Sequence, residues 1–348
     1  MNAAKRQDPD FGANHIELFI KSQWVKKEGK LGKEIKAGQS ISAYQQETVM
    51  RTGTLARYIR RMEALVANRR PVIMSEMTPA ELSECVEGWN FARPAFTNDY
   101  TSYDKNQRHP TTKFEELMCR FYDLPEEEIS HYVELKHDTR CHLGVLDHLR
   151  TSGEGPTFDF NSRMNIAYNH ARFDIPRDTR ELYAGDDLAQ DCVAPERPEW
   201  QEVSEDIPLE GKPVYPLQVP GDYADFCGFL ITPLGLIRSP LKLYSSLLLG
   251  NQLGEIQKKR DSYALDLQAA YNLGDGLYEI LTEEEMAYHQ GAVRLLTKAG
   301  WNFGKEVGVC QEPTAPASPR QTHQPNAPGA CAVALIRAFH HLPPTVKA

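Results

Sequence analysis

The chain has little that would hold it in a membrane or outside a cell. Its seven cysteines among 348 residues form no CxxC pair and are odd in number, which fits reduced thiols in a cytosolic setting better than a disulfide framework. No apolar run approaches the roughly 18 residues that a membrane-spanning helix needs. The opening "MNAAKRQDPDFGANH" has no apolar centre of the kind a secretory leader carries. A soluble chain is the expectation. There is no internal repeat. Positive charge is also in deficit, with 39 Lys/Arg against 48 Asp/Glu and a net charge of −9. The deficit is uneven: residues 1–70 hold 14 Lys/Arg and 7 Asp/Glu. A basic quarter on an acidic protein can meet a polyanion on one face, or can simply be a solvated surface.

With 41% apolar and 25% charged residues, the chain can bury the core of one large domain or two. "HIELFIKSQWVKKEGKLGKEIKAGQ" is basic and glycine-punctuated, and reads as short extended segments joined by loops. Apolar residues at Val49, Leu55, Ile59, Met62, Leu65 and Val66 predict a helix through "YQQETVMRTGTLARYIRRMEALVAN". "FTNDYTSYD" reads as a strand running into a polar turn. "TTKFEELMCRFYDL" and "PEEEISHYVELKHD" read as helices, the second opened by Pro125 and acidic residues. A further helix is expected in "RMNIAYNHARF", a hairpin in "ELYAGDDLAQD", and a second hairpin turning at Pro233-Leu234-Gly235. From residue 239 to about 299 the pattern is helical, and the Pro-rich segment 311–330 reads as disordered.

Two aspartates side by side behind a glycine are common in surface turns. They are also what two-metal phosphoryl transfer uses, if a further carboxylate arrives from elsewhere. Asp99, at the end of a predicted strand, can supply it, with Asp104 five residues on. Between these acidic elements lies "SGEGPTFDFNSRMN". Ser152-Gly153 offers a backbone that can approach a base or phosphate closely, and Thr157 and Asn161 share a face if the helix has begun. Their polar groups, with Asp104, suit a ribose 2′-hydroxyl. In isolation each of these segments also reads as an ordinary loop, turn or cap.

Taken in order, "NDYTSYD", "SGEGPTFDFN", "YAGDDLAQD" and "FCGFLITP" resemble motifs A, B, C and E of viral RNA-dependent RNA polymerases. The wording is nearest to replicases of flexuous plant and fungal viruses, the potexvirus-like group of the Tymovirales. "FIKSQWVKKEGKLGKEIKAGQSISAYQQ" resembles that group's finger motif F. The similarity covers roughly residues 15–300. It implies an α+β right-hand polymerase: partial fingers over 1–95, a palm with an antiparallel sheet over 96–238, a helical thumb over 239–305, and a disordered Pro-rich tail over 306–348.

The resemblance makes Asp99, Asp186 and Asp187 ligands of two Mg²⁺ or Mn²⁺ ions. Lys21, Lys27 and Lys36 fall in the segment that would hold the incoming triphosphate. Asp104, Ser152, Gly153, Thr157 and Asn161 become ribose and NTP contacts. Phe226, Cys227 and Gly228 become the grip on the nascent 3′ end, and Lys212 in "LEGKPVY" a proton donor to pyrophosphate. The implied partners are template and nascent RNA, NTPs, and the methyltransferase and helicase regions of the same replicase polyprotein. The implied setting is the host cytoplasm, in replication complexes that meet membranes peripherally.

Where the group reads "NDYTAFDQSQ", this chain has Ser102, Tyr103, Lys105 and Asn106, but the aspartates are kept. The chain starts close to motif F, so a second reading is open: an RNA-binding replicase fragment that needs upstream sequence for catalysis. A reverse transcriptase is disfavoured, because Asp104 with Asn161 suits a ribonucleotide. A zinc site from His137, Cys141, His142 and His148 matches no established spacing.

Overall fold

The computed structural model describes residues 12, 14–20, 40–66, 71–204 and 208–303. In chain order these form β1 (Glu17–Ile20), β2 (Ser40–Ala43), α1 (Gln46–Val66), β3 (Val72–Ile73), α2 (Pro79–Cys85), β4 (Phe96–Tyr100) and the short α3 (Tyr103–Asn106). There follow α4 (His109–Phe121), α5 (Glu126–Asp138), β5 (Arg140–Cys141), β6 (Gly144–Val145), α6 (Thr157–Arg172), β7 (Glu181–Ala184) and β8 (Asp187–Gln190). The remainder is α7 (Trp200–Val203), β9 (Gly211–Val214), β10 (Asp225–Phe226), β11 (Phe229–Thr232), β12 (Gly235–Arg238), α8 (Pro240–Gln252), α9 (Ile256–Asn272), α10 (Leu277–Ile280) and α11 (Glu283–Lys298). The architecture is mixed α/β. None of the described helices is long and apolar enough to cross a membrane.

The described residues fold as two units: those between 12 and 75 and between 98 and 214 form one, and 76–97 with 215–303 the other. The first unit is built on a five-stranded sheet in the order β3-β7-β8-β4-β9. β7 and β8 pair antiparallel from Glu181↔Gln190 to Ala184↔Asp187. β3 runs parallel to β7, with Val72 opposite Leu182. The sheet is therefore not purely antiparallel, contrary to expectation. A parallel pair needs a long crossover rather than a tight turn, and here the chain from residue 74 to 180 supplies it.

Helix α1 buries a stripe of Thr48, Thr52, Leu55 and Ile59, spaced for one helical face. Thr52 Oγ1 donates to the Thr48 carbonyl at 2.8 Å, which settles its hydroxyl inside. Val49, expected on that face, points outward instead. Helix α5 begins after Pro125 with Glu126, Glu127 and Glu128 in its first turn, where carboxylates favour the positive end of the helix dipole. β1 and β2 pair antiparallel from Glu17↔Ala43 to Ile20↔Ser40. The segment joining them lies outside the described residues, and Lys21, Lys27 and Lys36 with it.

Helix α6 begins at Thr157, six residues before the expected start, and buries every residue from Asp159 to His170. Such a helix must satisfy its polar side chains internally. Arg163 pairs with Glu63 and Asp159. Asn169 Nδ2 donates to Tyr183 Oη and Gln190 Oε1 at 2.8 and 2.9 Å, and His170 lies 2.9 Å from Glu181.

The second unit combines the antiparallel sheet β10-β11-β12 with helices α2 and α8–α11. One core gathers Leu243, Leu247, Ala264, Leu267, Ala292 and Leu296; another gathers Leu230, Ile237, Leu277 and Ile280 around Tyr223. α2 and α11 both start with capping boxes, Thr78 with Glu81 and Thr282 with Glu285.

Candidate active site in the first unit

The β7–β8 connection is a two-residue loop, Gly185-Asp186, with Gly185 at φ +64°. Glycine at the first turn position supplies the positive φ that matches strand twist. Helix α6 clamps this loop. Gly185 N donates to Ser162 Oγ at 2.8 Å, and Asn165 Nδ2 donates to the Gly185 carbonyl at 3.1 Å. Asn165 Oδ1 in turn accepts from Tyr100 Oη at 2.9 Å. One asparagine thus ties the Asp186 turn to the residue that follows Asp99.

Asp99 lies on β4, the neighbour of β8 in the sheet. Its Oδ1 accepts from Tyr100 N at 2.7 Å, and its Oδ2 lies 3.7 Å from Lys212 Nζ. Both side chains of that pair are about half exposed, so the ion pair itself is worth at most about 1 kcal/mol. Lys212 sits within β9 rather than at a loop end, and also donates to the Tyr100 carbonyl at 3.3 Å.

The carboxyl of Asp186 is pushed up to about 6, foremost by desolvation, with further repulsion from Asp187, Asp99 and Asp104. The side chain still reaches solvent, so it is the surrounding protein and the three carboxylates, not complete burial, that raise it. Stability follows from the sign. Below the ordinary value of 3.8 both folded and unfolded chains are protonated; as pH rises towards about 6 the unfolded chain has released a proton that the folded one keeps. Asp186 therefore costs the fold stability as pH rises through that window, on the order of 1 kcal/mol once solvent screening is allowed for. Metal-free melts at pH 4.5 and 7.5 should show a smaller loss for Asp186→Asn than for the unmodified chain. An identical loss in both would contradict the raised carboxyl.

Asp104 lies on α3, entered through Ser102 in a left-handed conformation at φ +53°. Its Oδ1 accepts from Asn161 Nδ2 at 2.9 Å, and Asn161 Oδ1 accepts from Gln107 Nε2 at 2.9 Å. Thr157 Oγ1 donates to the Thr151 carbonyl at 2.6 Å. Ser152 Oγ accepts from Ser42 N at 3.1 Å. A Cβ on Gly153 would fall 1.6 Å from the Ser42 carbonyl oxygen, so glycine here permits close approach to β2. In the second unit, Cys227 and Gly228 form a two-residue loop at φ +53° and +81° between β10 and β11. Phe226 is buried there, and Arg238 NH1 donates to the Cys227 carbonyl at 2.9 Å.

Among the described residues no group of three or more His, Cys, Asp or Glu is already gathered tightly enough to hold a metal ion. For the zinc candidates, His137 lies 2.8 Å from Asp138 and His148 3.2 Å from Thr112, and Cys141 is buried in β5. For the aspartates the chemistry fits better than the packing: an all-oxygen set whose mutual repulsion a cation would relieve suits Mg²⁺ or Mn²⁺. The residues that organise this site, Ser162, Asn165, Gln107 and Tyr100, were not singled out from sequence. Asn161, Asn165 and Asn169 at four-residue spacing were the available signal.

Residues 6–232 match the family described as RNA dependent RNA polymerase. The RNA replication protein of Narcissus mosaic virus is 46% identical over 296 residues, covering 84% of this chain and 18% of that protein. The corresponding proteins of White clover mosaic virus (strain O) and Potato virus X are 44% and 42% identical over 302 residues, with 23% and 21% of their lengths covered. The chain thus spans about a fifth of the length of these relatives. Among solved structures, the crystal structure of an insertion loop deletion mutant of the RNA-dependent RNA polymerase of a human picobirnavirus aligns at a TM-score of 0.49 and 12% identity, over 76% of this chain and 55% of that one. The match over residues 6–232 covers well over half of the chain, and the chain belongs to the RNA-dependent RNA polymerase family.

Proposed function

We propose that this domain catalyses template-directed RNA synthesis, transferring nucleotides from NTPs to a growing 3′ end in the replication and transcription of a positive-strand RNA virus genome. The observation that carries the reading is the carboxylate cluster: Asp186, held by the α6 clamp, is pushed up to about 6 foremost by desolvation, with Asp187, Asp99 and Asp104 near enough to add to the rise. Asp99, Asp186 and Asp187 would hold two Mg²⁺ or Mn²⁺ ions, which when bound activate the attacking hydroxyl and stabilise the pentacovalent phosphate and leaving pyrophosphate. Lys212, 3.7 Å from Asp99, would donate a proton to the pyrophosphate. Asp104 and Asn161 would read the ribose 2′-hydroxyl, with Ser152, Gly153 and Thr157 shaping the nucleotide pocket. Lys21, Lys27 and Lys36 are proposed to take the triphosphate, and Phe226, Cys227 and Gly228 the nascent 3′ end.

In this reading residues 1–95 are partial fingers, 96–238 the palm and 239–305 the thumb of a right hand. Residues 306–348 are a tail without an assigned role. That the chain spans about a fifth of each relative supports further replicase regions as partners; this proposal takes them to be methyltransferase and helicase regions, in cytoplasmic replication complexes. A second reading is an RNA-binding portion that is not catalytic by itself. Primer extension on a short RNA template separates the two. Incorporation by this chain supports the first; RNA binding without incorporation, restored by adding upstream sequence, supports the second.

Sugar choice tests the site itself. A site built around a substrate hydroxyl rejects the analogue lacking it, because its own polar groups are left unpaired. Asn161→Ala should lower kcat/KM for NTPs by roughly 1–3 kcal/mol while changing that for dNTPs much less. Steady-state extension with both sugars measures it. An unchanged NTP/dNTP ratio would leave Asn161 a structural residue only.

A further inference from the structure

We infer that Gln107 and Arg150 are positioning residues for sugar selection: they dictate which way the Asn161 amide faces. This rests on the proposed reading of Asp104 and Asn161 as the ribose contacts. Gln107, Arg150 and Asn161 are buried, to 1%, 3% and 6% exposure, so bulk water does not compete along the Arg150–Gln107–Asn161 bonds, while Asp104 at the end of the chain is half-buried.

A guanidinium only donates and a carboxylate only accepts. Arg150 NH2 donates to Gln107 Oε1 at 3.4 Å, which leaves Gln107 Nε2 facing Asn161. Gln107 Nε2 donates to Asn161 Oδ1 at 2.9 Å, and Asn161 Nδ2 donates to Asp104 Oδ1 at 2.9 Å. Amide orientations are ordinarily free to be assigned either way. Here an obligate donor stands at one end and an obligate acceptor at the other, so flipping either amide sets like against like. Arg150 cannot swing away, since it is also paired with Glu115 and with Glu154 Oε1 at 3.1 Å.

The consequence lies in the hydrogen-bonding character left for a sugar. With the amide set, Asn161 keeps one N–H beyond that given to Asp104, and Asp104 keeps its second oxygen. A hydroxyl that can accept from the first and donate to the second matches that pair; a hydrogen in its place matches neither. Reversing the amide would present a carbonyl oxygen to a carboxylate and remove the donor. Sugar discrimination then depends on Gln107, which is not proposed to touch the nucleotide.

Gln107→Glu is the decisive change. It keeps size and an acceptor for Arg150, but offers Asn161 no donor. Gln107→Met, which has neither donor nor acceptor, repeats the test without added charge. For each, along with Asn161→Ala, displacement of a fluorescent nucleotide by ATP and by 2′-deoxy-ATP in Mg²⁺ would be measured, with melting as the control for folding and primer extension for kcat and KM. Both Gln107 variants should lose at least ~10-fold of the preference for ATP, by weaker ATP binding and higher NTP KM, while dATP changes by less than ~2-fold. Gln107→Met, which adds no buried charge, should melt close to the unmodified chain, and Gln107→Glu lower. If Asn161→Ala reduces the preference and the Gln107 variants do not, the inference fails and the ribose reading stands. If ATP and dATP weaken together, Gln107 is merely structural and the inference fails. If the unmodified chain does not distinguish the sugars, or Asn161→Ala leaves its preference intact, the ribose reading fails and takes the inference with it.

Discussion

Asp186→Asn should reduce nucleotide incorporation at least ~10³-fold with NTPs and dNTPs alike, while the metal-free protein melts no lower than the unmodified chain. A factor of that size corresponds to about 4 kcal/mol of transition-state stabilisation, the several kcal/mol expected when a metal's charge is lost from a phosphoryl-transfer site. The fold should not suffer. Asparagine occupies nearly the same volume, the loop is held through Gly185 N and the Gly185 carbonyl, and the bond the Asp186 carboxyl accepts from its own backbone N–H can be kept by the asparagine Oδ1. Neutralising residue 186 also removes a charge that desolvation and three nearby carboxylates oppose. Asp99→Asn should be equally inactive and also fold normally, because the Asp99–Lys212 pair it removes is half exposed. Primer extension and thermal melting on both variants check this. Comparable incorporation by Asp186→Asn and the unmodified chain would sink the proposed metal site.

What the sequence made legible follows from whether a feature has a local cause. Gly185-Asp186 is a turn with a local cause: a glycine at positive φ between two apolar strands. Its hairpin could be read from eleven residues. The helices α1, α4 and α5 announced themselves through apolar spacing and, for α5, Pro125 with three glutamates. The start of α6 did not, because "SGEGPTFDFN" carries the glycines of a loop and its helix is buried on every side, which erases the polar face that marks a start. The β10–β11 turn was missed for a related reason. Cys227 at φ +53° is not a residue that turn chemistry favours, so only the hairpin at Pro233 stood out. The two-residue β3 is defined by its parallel partner β7 and has no local signature.

The site divides along the same line. The aspartates and Asn161 stood out in the sequence because the metal binding and hydroxyl recognition proposed for them would demand particular residue types in particular segments. Ser162, Asn165, Gln107 and Arg150 were not, since each acts through a partner distant in sequence, and no local pattern distinguishes a buried polar residue from a surface one. The interior of the first unit is where this matters most, and the second large effect is expected there.

Glu154→Leu should destabilise the fold by about 3–5 kcal/mol, the range for stranding a buried charge. Glu154 lies 2.9 Å from Lys136 Nζ and 3.1 Å from Arg150 NH1, with Tyr132 Oη at 2.6 Å. The Lys136 and Glu154 side chains are 3% and 1% exposed. Glu115 remains beside Arg150 in the variant, but Lys136 loses the carboxylate that its burial requires. The double variant Lys136→Met with Glu154→Leu should recover most of the loss, because removing both charges also removes their desolvation cost. Burial by itself raises the Glu154 carboxyl, and Lys136 and Arg150 outweigh it, holding the group below its ordinary 4.5. Its contribution is therefore present above that value and lost as pH falls through the lower folded one, opposite in sign to Asp186. Chemical denaturation of both variants at pH 7 measures the coupling, and equal losses in the single and double variants would show that the pair does not hold the interior together. Because Arg150 links Glu154 to Gln107, a folded fraction of Glu154→Leu should also show a weakened preference for ribonucleotides, which joins the stability of the interior to the selectivity of the site.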